Sequence, residues 1–160
     1  MSFLNQKHIK PGALAGIAGG AAFLLAMKAE IRMSGRNLND ILLLGTPISR
    51  NPHLAKTAGL VAHTINSGVL GVAYTQVFHD RLPGPPAIRG AAFAVIENSL
   101  LYPLLVFESR HPGIRDGQID SYWSIRSYLW TTPRHIAYGA VVAVVYERLR
   151  SHNSTTGASQ

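Results

Sequence analysis

The sequence predicts an all-α fold, specifically a four-helix transmembrane bundle with one or two interfacial amphipathic helices. Three observations predict it: four long apolar runs, a proline just before each run, and charged residues that make up only 14% of the 160 residues. A soluble domain usually carries about 25% charged residues. Scarce charge that collects at the ends of apolar runs is typical of an integral membrane protein, and the length suits one domain.

Each apolar run is predicted to be a helix that begins at its proline. Proline is favoured at the first helical position, where its missing N–H would have no partner in any case. The second run has no charged residue between Thr57 and Phe78. As a helix this stretch is about 33 Å long, enough to cross a bilayer. The predicted helices cover residues 11–34, 52–78, 86–109 and 133–150, within a single integral membrane domain at 1–150 that is followed by a disordered tail at 151–160.

The basic residues flank the apolar runs, as Lys7 and Lys10 do before the first one, and the net charge is +7. Contact with anionic lipid headgroups explains this placement better than nucleic-acid binding does. The expected partners are therefore the lipid bilayer and either a second copy or another membrane protein complex. Lys28 and Glu30 stand where a signal peptide would need small residues for cleavage, so the first run is predicted to be a retained helix.

Two connections contain apolar residues of their own. Residues 37–48 include a short leucine-rich stretch, and residues 118–130 place aromatic and aliphatic side chains at helical spacing. The pattern over residues 118–130 predicts an amphipathic helix in the headgroup layer, anchored by Tyr122, Trp123 and Trp130. The alternative is a loop folded over the mouth of the bundle.

Glycines at helical spacing predict close contact between helices, because a small residue lets another backbone approach. The contact could join two copies of the chain, but packing within one bundle is the favoured interpretation. The glycines are Gly12, Gly16 and Gly20 in the first helix and Gly59, Gly68 and Gly71 in the second.

Two ionisable residues, His63 and Glu97, are predicted to lie near the middle of the bilayer. Each is about 16 Å into its helix, and the two helices are antiparallel neighbours, so a direct His63–Glu97 pair is geometrically possible. Asn66 and Ser67 lie one turn from His63, and Asn98 adjoins Glu97. Buried polar groups at this depth are costly and are usually functional.

Three hypotheses follow for this polar cluster. It could be a hydrogen-bond network that holds the second and third helices in register. It could bind or relay protons or line a polar pathway. It could bind a metal or haem, with His63 and His135 as candidate haem ligands and Glu97 as a further metal ligand, although the different predicted depths of the two histidines argue against a shared haem.

Arg134 and His135 begin the fourth predicted helix, where they could contact an anionic ligand or lipid headgroups, or serve as interfacial anchors. The chain has no cysteine. It also lacks a catalytic triad order, a phosphate-binding glycine loop and a zinc-protease motif. We therefore expect neither enzymatic activity nor a resident metal or cofactor, with haem or another chromophore at His63 as a minor alternative.

Several short motifs are shared with one group of membrane proteins. They are Ala62-His63 in the second helix, Arg89-Gly90-Ala91-Ala92 and Tyr102-Pro103 in the third, and His135-Ile136-Ala137-Tyr138 leading to Glu147-Arg148-Leu149-Arg150 in the fourth. Over residues 55–150 the chain resembles the YagU-like group of small bacterial inner-membrane proteins. The resemblance implies four helices in the bacterial inner membrane and favours cytoplasmic termini. The distribution of Lys and Arg favours the opposite orientation.

The function predicted from these features is that of a non-enzymatic structural or accessory subunit of a membrane assembly. The alternative is a small transporter, channel or proton-linked component that uses His63 and Glu97. A haem-binding or redox membrane subunit comes third.

Overall fold

The computed structural model describes residues 5–156, with side chains as far as His152, and this part of the chain is mostly helical and contains no strand. The all-α prediction is confirmed. The helices are α1 (Gln6–Ser34), α2 (Asp40–Gly45), α3 (Pro52–Ala73), α4 (Pro86–Leu101), α5 (Pro112–Arg115) and α6 (Ile125–Thr156), with a π-helical turn at Tyr74–Phe78 and a 3-10 helix at Tyr102–Arg110.

Asparagine and proline determine most of the helix starts. The side chains of Asn5, Asn39 and Asn51 accept backbone N–H groups at the first turns of α1, α2 and α3. Pro52 and Pro86 occupy the first positions of α3 and α4, as predicted. An oxygen at the position before a helix satisfies N–H groups that have no partner within it.

Two predicted helix starts are wrong. α1 begins at Gln6 and α6 at Ile125, so the prolines at 11 and 133 lie inside these helices. The caps explain the difference: Asn5 caps α1, and the Ser124 hydroxyl accepts the N–H of Ser127 at the start of α6. α6 also continues to Thr156, so residues 151–156 are helical rather than a disordered tail, and residues 157–160 lie outside the described part.

The predicted interfacial helix over residues 118–130 does not form. Residues 118–124 are irregular, and the remainder belongs to α6. Glu108 holds the irregular segment, because its carboxylate accepts the backbone N–H groups of Tyr122 and Trp123 at 2.7 and 3.0 Å. The alternative, a loop folded onto the helices, describes this connection. The first connection does contain the short helix α2.

Among the described residues, two segments are long and apolar enough to cross a membrane: α1, and Pro86–Arg110, which combines α4 with the 3-10 helix. The sequence predicted four such segments. α3 differs because its middle turns carry polar residues such as His63 and Asn66, and α6 differs because its apolar stretch is short and follows Arg134 and His135. Pro103, predicted to kink the third helix, lies where α4 changes to 3-10 geometry.

The long helices pack in the order α3, α1, α6, α4. α2 packs on α3. α4 contacts the π-helical turn that follows α3, whereas α3 itself and α4 lie apart. One end of the molecule, the terminal pole, joins the start of α1 to the ends of α3 and α6, as in the 2.6 Å hydrogen bond between His8 and Tyr146. The opposite end, the connection pole, joins residues 36–37 to residues 118–127.

Candidate functional site

A cavity of about 170 Å³ lies among α1, α2, α3, α4 and α6. Four of the five residues of the predicted polar cluster line it: His63, Asn66, Ser67 and Glu97. Asn98 does not. It lines a neighbouring cavity of about 130 Å³, and its side-chain nitrogen is buried without a hydrogen-bond partner. The remaining residues around the first cavity are Phe23, Asp40, Leu43, Leu44, Leu70, Leu101, His135 and Tyr138.

His63 is held near the middle of the structure by α1. Its Nε2 lies 3.2 Å from the carbonyl oxygen of Gly20 and 3.5 Å from the Ser67 hydroxyl. Because a carbonyl can only accept, Nε2 carries the proton in this contact. Nδ1 has no hydrogen-bond partner in the described part of the chain. The Phe23 ring packs against the imidazole, with ring centroids 5.2 Å apart.

Glu97 pairs with His135 rather than with His63. One carboxylate oxygen lies 3.3 Å from Nδ1 of His135, and both side chains are largely buried. The direct His63–Glu97 pair considered from the sequence is therefore wrong, although both residues line the same cavity. The position of α6 explains this pairing. Tyr138 of α6 donates a 2.7 Å hydrogen bond to the carbonyl of Ser67 on α3, and His135, one turn earlier on α6, lies beside Glu97.

Both histidines considered as haem ligands line this cavity, and each already has one ring nitrogen in contact with the protein. No three His, Asp or Glu side chains of residues 5–152 are placed to hold a metal ion.

Arg134 lies behind the cavity as a buried cation with two carboxylate partners. It is 1% exposed. Its guanidinium donates to Glu30 at 3.0 Å, to Asp40 at 2.7 Å and to the carbonyl of Leu38 at 2.7 Å. The prediction that Arg134 contacts headgroups or anchors the interface is wrong, because the start of α6 is placed earlier and carries Arg134 into the interior.

Tyr122 completes this ionic cluster and does not face a membrane surface. Its hydroxyl donates to Asp40 at 2.8 Å, and its ring is 5% exposed. Burial and the Asp40 carboxylate raise the pKa of Tyr122 well above its usual value, so the hydroxyl stays protonated and remains a donor. Of the other two predicted anchors, Trp123 is exposed and stacks on Tyr102, whereas Trp130 is partly buried.

The predicted packing glycines bring helices of the same chain together. Gly12, Gly16 and Gly20 face α3, where a side chain at Gly12 or Gly20 would collide with Thr75 or Ser67. Gly71 meets Gly16 across this contact, and Gly59 meets Ile41 and Gly45 of α2. The α1–α3 contact carries the Gly20 carbonyl to His63, so the glycines help to build the cavity wall.

The match to a known family extends over almost all of the described chain. The family of unknown function DUF6789 matches residues 6–157. The chain belongs to DUF6789. No curated protein and no solved structure matches it. The DUF6789 match contains the cavity and Arg134 with its partners, and it brings no activity with it. Nothing in these comparisons links DUF6789 to the YagU-like group, so that resemblance stays a prediction.

A second buried polar cluster lies at the terminal pole of this DUF6789 chain. His79 is 2% exposed, and its Nε2 lies 3.5 Å from Glu147 and 3.0 Å from Arg150. Arg89 pairs with the same Glu147 at 2.8 Å. Burial lowers the pKa of His79, against the opposing effect of the Glu147 and Asp80 carboxylates. The imidazole is therefore neutral near physiological pH.

Glu30 and Tyr138 are the main residues of the site that the sequence analysis missed. Glu30 stands between the basic residues Lys28 and Arg32, a pattern typical of a solvated charge cluster. A different signal was available: Glu30 continues the spacing of Gly16, Gly20, Phe23 and Met27, all buried on one face of α1. A carboxylate on the buried face of a helix needs a cationic partner, and Arg134 is that partner.

Proposed function

We propose that this chain is an integral membrane protein in which α1, α3, α4 with its 3-10 extension, and α6 each cross the bilayer. The support is the distribution of side chains: large apolar side chains cover the surface at the level where the interior is polar, which is the reverse of the arrangement in a soluble protein. On α3, His63 and Ser67 are buried. The large hydrophobic side chains that α3 exposes are Leu54, Leu60, Val61, Ile65 and Val69, and the polar side chains of Thr64 and Asn66 are exposed among them.

The distance between the two buried polar clusters supports this placement. α1 from His8 to Glu30 is about 33 Å long, close to the thickness of the hydrocarbon core. His8 contacts Tyr146 at the terminal pole, and Glu30 contacts Arg134 toward the connection pole. The two clusters therefore lie near the two membrane surfaces. Gly20, which contacts His63, is about 18 Å from His8 along α1 and so lies near the midplane.

The function that this geometry supports best is non-enzymatic: a proton-linked component that binds a small polar group in the cavity. The observation that carries it is the shared cavity of His63, Glu97 and His135 near the midplane. Ionisable side chains in the membrane interior mark ion pathways and proton relays. An imidazole changes charge near neutral pH. In this mechanism Glu97 accepts a proton, His135 stabilises the resulting change of charge, and His63 presents Nδ1 to the bound group.

The test is proton flux in liposomes that contain the purified protein and a trapped pH-sensitive dye. With a potassium diffusion potential as the driving force, the protein should acidify the lumen faster than empty liposomes do. Glu97→Gln should return the rate to that of empty liposomes, because the amide cannot accept the proton. Asp80→Asn is the matched control, since its side chain is 84% exposed outside the membrane, and it should keep the full rate. Equal rates for the native protein and empty liposomes would contradict the proton role.

The second candidate is an accessory subunit of a larger assembly in the bacterial inner membrane. The open side between α3 and α4 favours it, because a helix of another protein can lie there. Gentle extraction followed by native mass spectrometry tests this candidate: a complex that contains this chain and a second protein supports it, and a lone chain opposes it. An absorbance scan of the same sample tests the haem alternative.

A further inference from the structure

The open side between α3 and α4 forms an apolar groove of about 350 Å³. At the terminal pole it is closed by aromatic contacts, with the Phe93 ring 4.9 Å from Phe78 and 5.4 Å from Tyr74. Beyond these rings the groove is open to the surroundings of the protein. Its walls are Leu70, Ala73, Phe78, Phe93, Ile96, Leu100 and Leu101, with Asn66 and Glu97 as its polar residues.

The groove and the polar cavity adjoin each other. They share Asn66, Leu70, Glu97 and Leu101 as lining residues. A single molecule can therefore place an apolar chain between α3 and α4 and a polar head against Glu97. With the helices in a bilayer, the mouth of the groove faces lipid acyl chains, so the ligand enters sideways from the membrane.

The polar end of this site favours a hydrogen-bond donor. His63 is buried, and its Nδ1 has no partner among the described residues. In the same part of the chain, Asn66 forms no side-chain hydrogen bond, and Glu97 has His135 as its one ionic partner. The unused groups are thus mostly acceptors, since a neutral imidazole nitrogen without a proton and a carboxylate can only accept.

The polar end also favours a positive charge. Two carboxylates, those of Asp40 and Glu97, line the cavity, and none of its lining residues is a lysine or an arginine. Arg134 lies behind the cavity, where it pairs with Asp40 and Glu30. The nearby Arg36 faces Asp120 at the surface instead.

We propose that the groove and cavity together bind a single-chain lipophilic amine, with its ammonium group at Glu97 and its hydrocarbon chain between α3 and α4. This inference rests on the proposed function in one respect, the placement of the helices in a bilayer. It adds the chemical class of the ligand: one cationic donor head on one apolar tail.

The test uses dodecylamine as the probe, in a form that carries a photoreactive diazirine on its chain, with the full-length protein in neutral phosphatidylcholine nanodiscs. Crosslinking should be saturable and should map by mass spectrometry to residues 66–73 and 93–101. Unlabelled dodecylamine should compete. Dodecanol and dodecanoate have the same tail with a different head, and butylamine has the same head without the tail, so each should compete at least about tenfold more weakly.

Matched variants separate the head from the tail. Glu97→Gln should weaken dodecylamine binding about tenfold or more, because a charge-assisted contact is lost. Leu100→Trp should block the groove. Leu25→Trp places the same ring on α1 at a lipid-exposed position outside the groove and should bind normally. Circular dichroism of each variant shows whether it is folded.

Three results would overturn the inference: equal competition by dodecanol and dodecylamine, unchanged binding in a folded Glu97→Gln variant, or crosslinks spread over the whole exterior. A co-purified protein that crosslinks along α3 and α4 and excludes dodecylamine would also overturn it, in favour of a partner helix. If dodecylamine does not bind but Glu97→Gln still abolishes proton flux, the ligand class fails while the proposed function stands. If dodecylamine binds and flux is absent, the proposed function fails alone.

Discussion

At the scale of single residues, the most consequential group is Arg134, because it is buried with its charge. Its three hydrogen-bond partners join α1, the segment before α2, and α2 itself to α6. A buried cation with two carboxylates is costly to form but more costly to disrupt, since removing one member leaves the others uncompensated. Arg134 therefore holds the wall of the cavity in place while remaining out of contact with it.

Replacing Arg134 by Met should destabilise the protein by roughly 3–5 kcal/mol, because the largely buried carboxylates of Glu30 and Asp40 would be left without a cationic partner. The measurement is unfolding in mixed micelles, followed by far-ultraviolet circular dichroism. Arg50→Met is the control: Arg50 is 71% exposed and lies 4.0 Å from Asp116. A pair of this kind contributes less than about 1 kcal/mol. Equal midpoints for the two variants would show that the buried ionic cluster does not stabilise the fold.

At the residue scale, the sequence grouped His63 with Glu97 by their equal depth along their helices. His63 and Glu97 were placed near the midplane, and they line one cavity. Their partners could not be predicted, because these depend on where α6 starts and how it is rotated. Once Ile125 rather than Pro133 begins that helix, His135 moves from an end to the interior and takes the position next to Glu97.

At the scale of helices, α1 and α3 are joined by direct backbone contact along glycines. A methyl group on Gly71 would lie 2.6 Å from the Cα of Gly16 and would overlap the carbonyl of Gly12. A methyl group on Gly68, one turn earlier on the same helix, would have its nearest neighbour at 3.8 Å. The two positions therefore differ in the space available, although they look alike in the sequence.

This difference leads to a prediction with an internal control. Gly71→Ala should destabilise the protein by roughly 1–3 kcal/mol, because helices α1 and α3 must separate. Gly68→Ala should be neutral or slightly stabilising, since alanine is favoured over glycine in a helix by up to about 1 kcal/mol. Unfolding in mixed micelles measures both changes. The proposed contact is refuted if the two variants unfold at the same detergent composition.

At the scale of helices, a proline marked the helix start correctly at Pro52 and Pro86 but not at Pro11 and Pro133. Thr132 stands before Pro133 but does not cap a helix there, because its hydroxyl donates to the carbonyl of Tyr128. The helix that contains Pro133 begins instead at Ile125, where Ser124 accepts the N–H of Ser127. The segment 118–124 stays irregular because Glu108 accepts its backbone N–H groups, a long-range contact that helical periodicity cannot reveal.

At the scale of the whole molecule, the two poles and the open side have different roles. The terminal pole is sealed by His79, Glu147 and their aromatic neighbours, and the other end is sealed by Arg134 and its partners. Between them, the packing order α3, α1, α6, α4 leaves a lateral opening. With the helices placed in a bilayer as proposed, a cavity that opens toward the side exchanges with lipid rather than with water. This arrangement is why the proposed ligand carries a hydrocarbon chain.

The proposed four crossings would place the segment after α3 and the segment before it on opposite sides of the membrane. The chain has no cysteine, so single cysteines report without background. Asp80→Cys and Arg50→Cys lie at opposite poles, with native side chains that are 84% and 71% exposed. In sealed vesicles of one orientation, a membrane-impermeant maleimide should label one of them, and lysis should be needed to label the other. Leu60→Cys, on the apolar face of α3, should resist the reagent in both conditions because lipid covers it. Labelling of both polar cysteines in intact vesicles, or of Leu60→Cys, would mean that α3 does not cross, and the cavity would then open to water rather than to lipid.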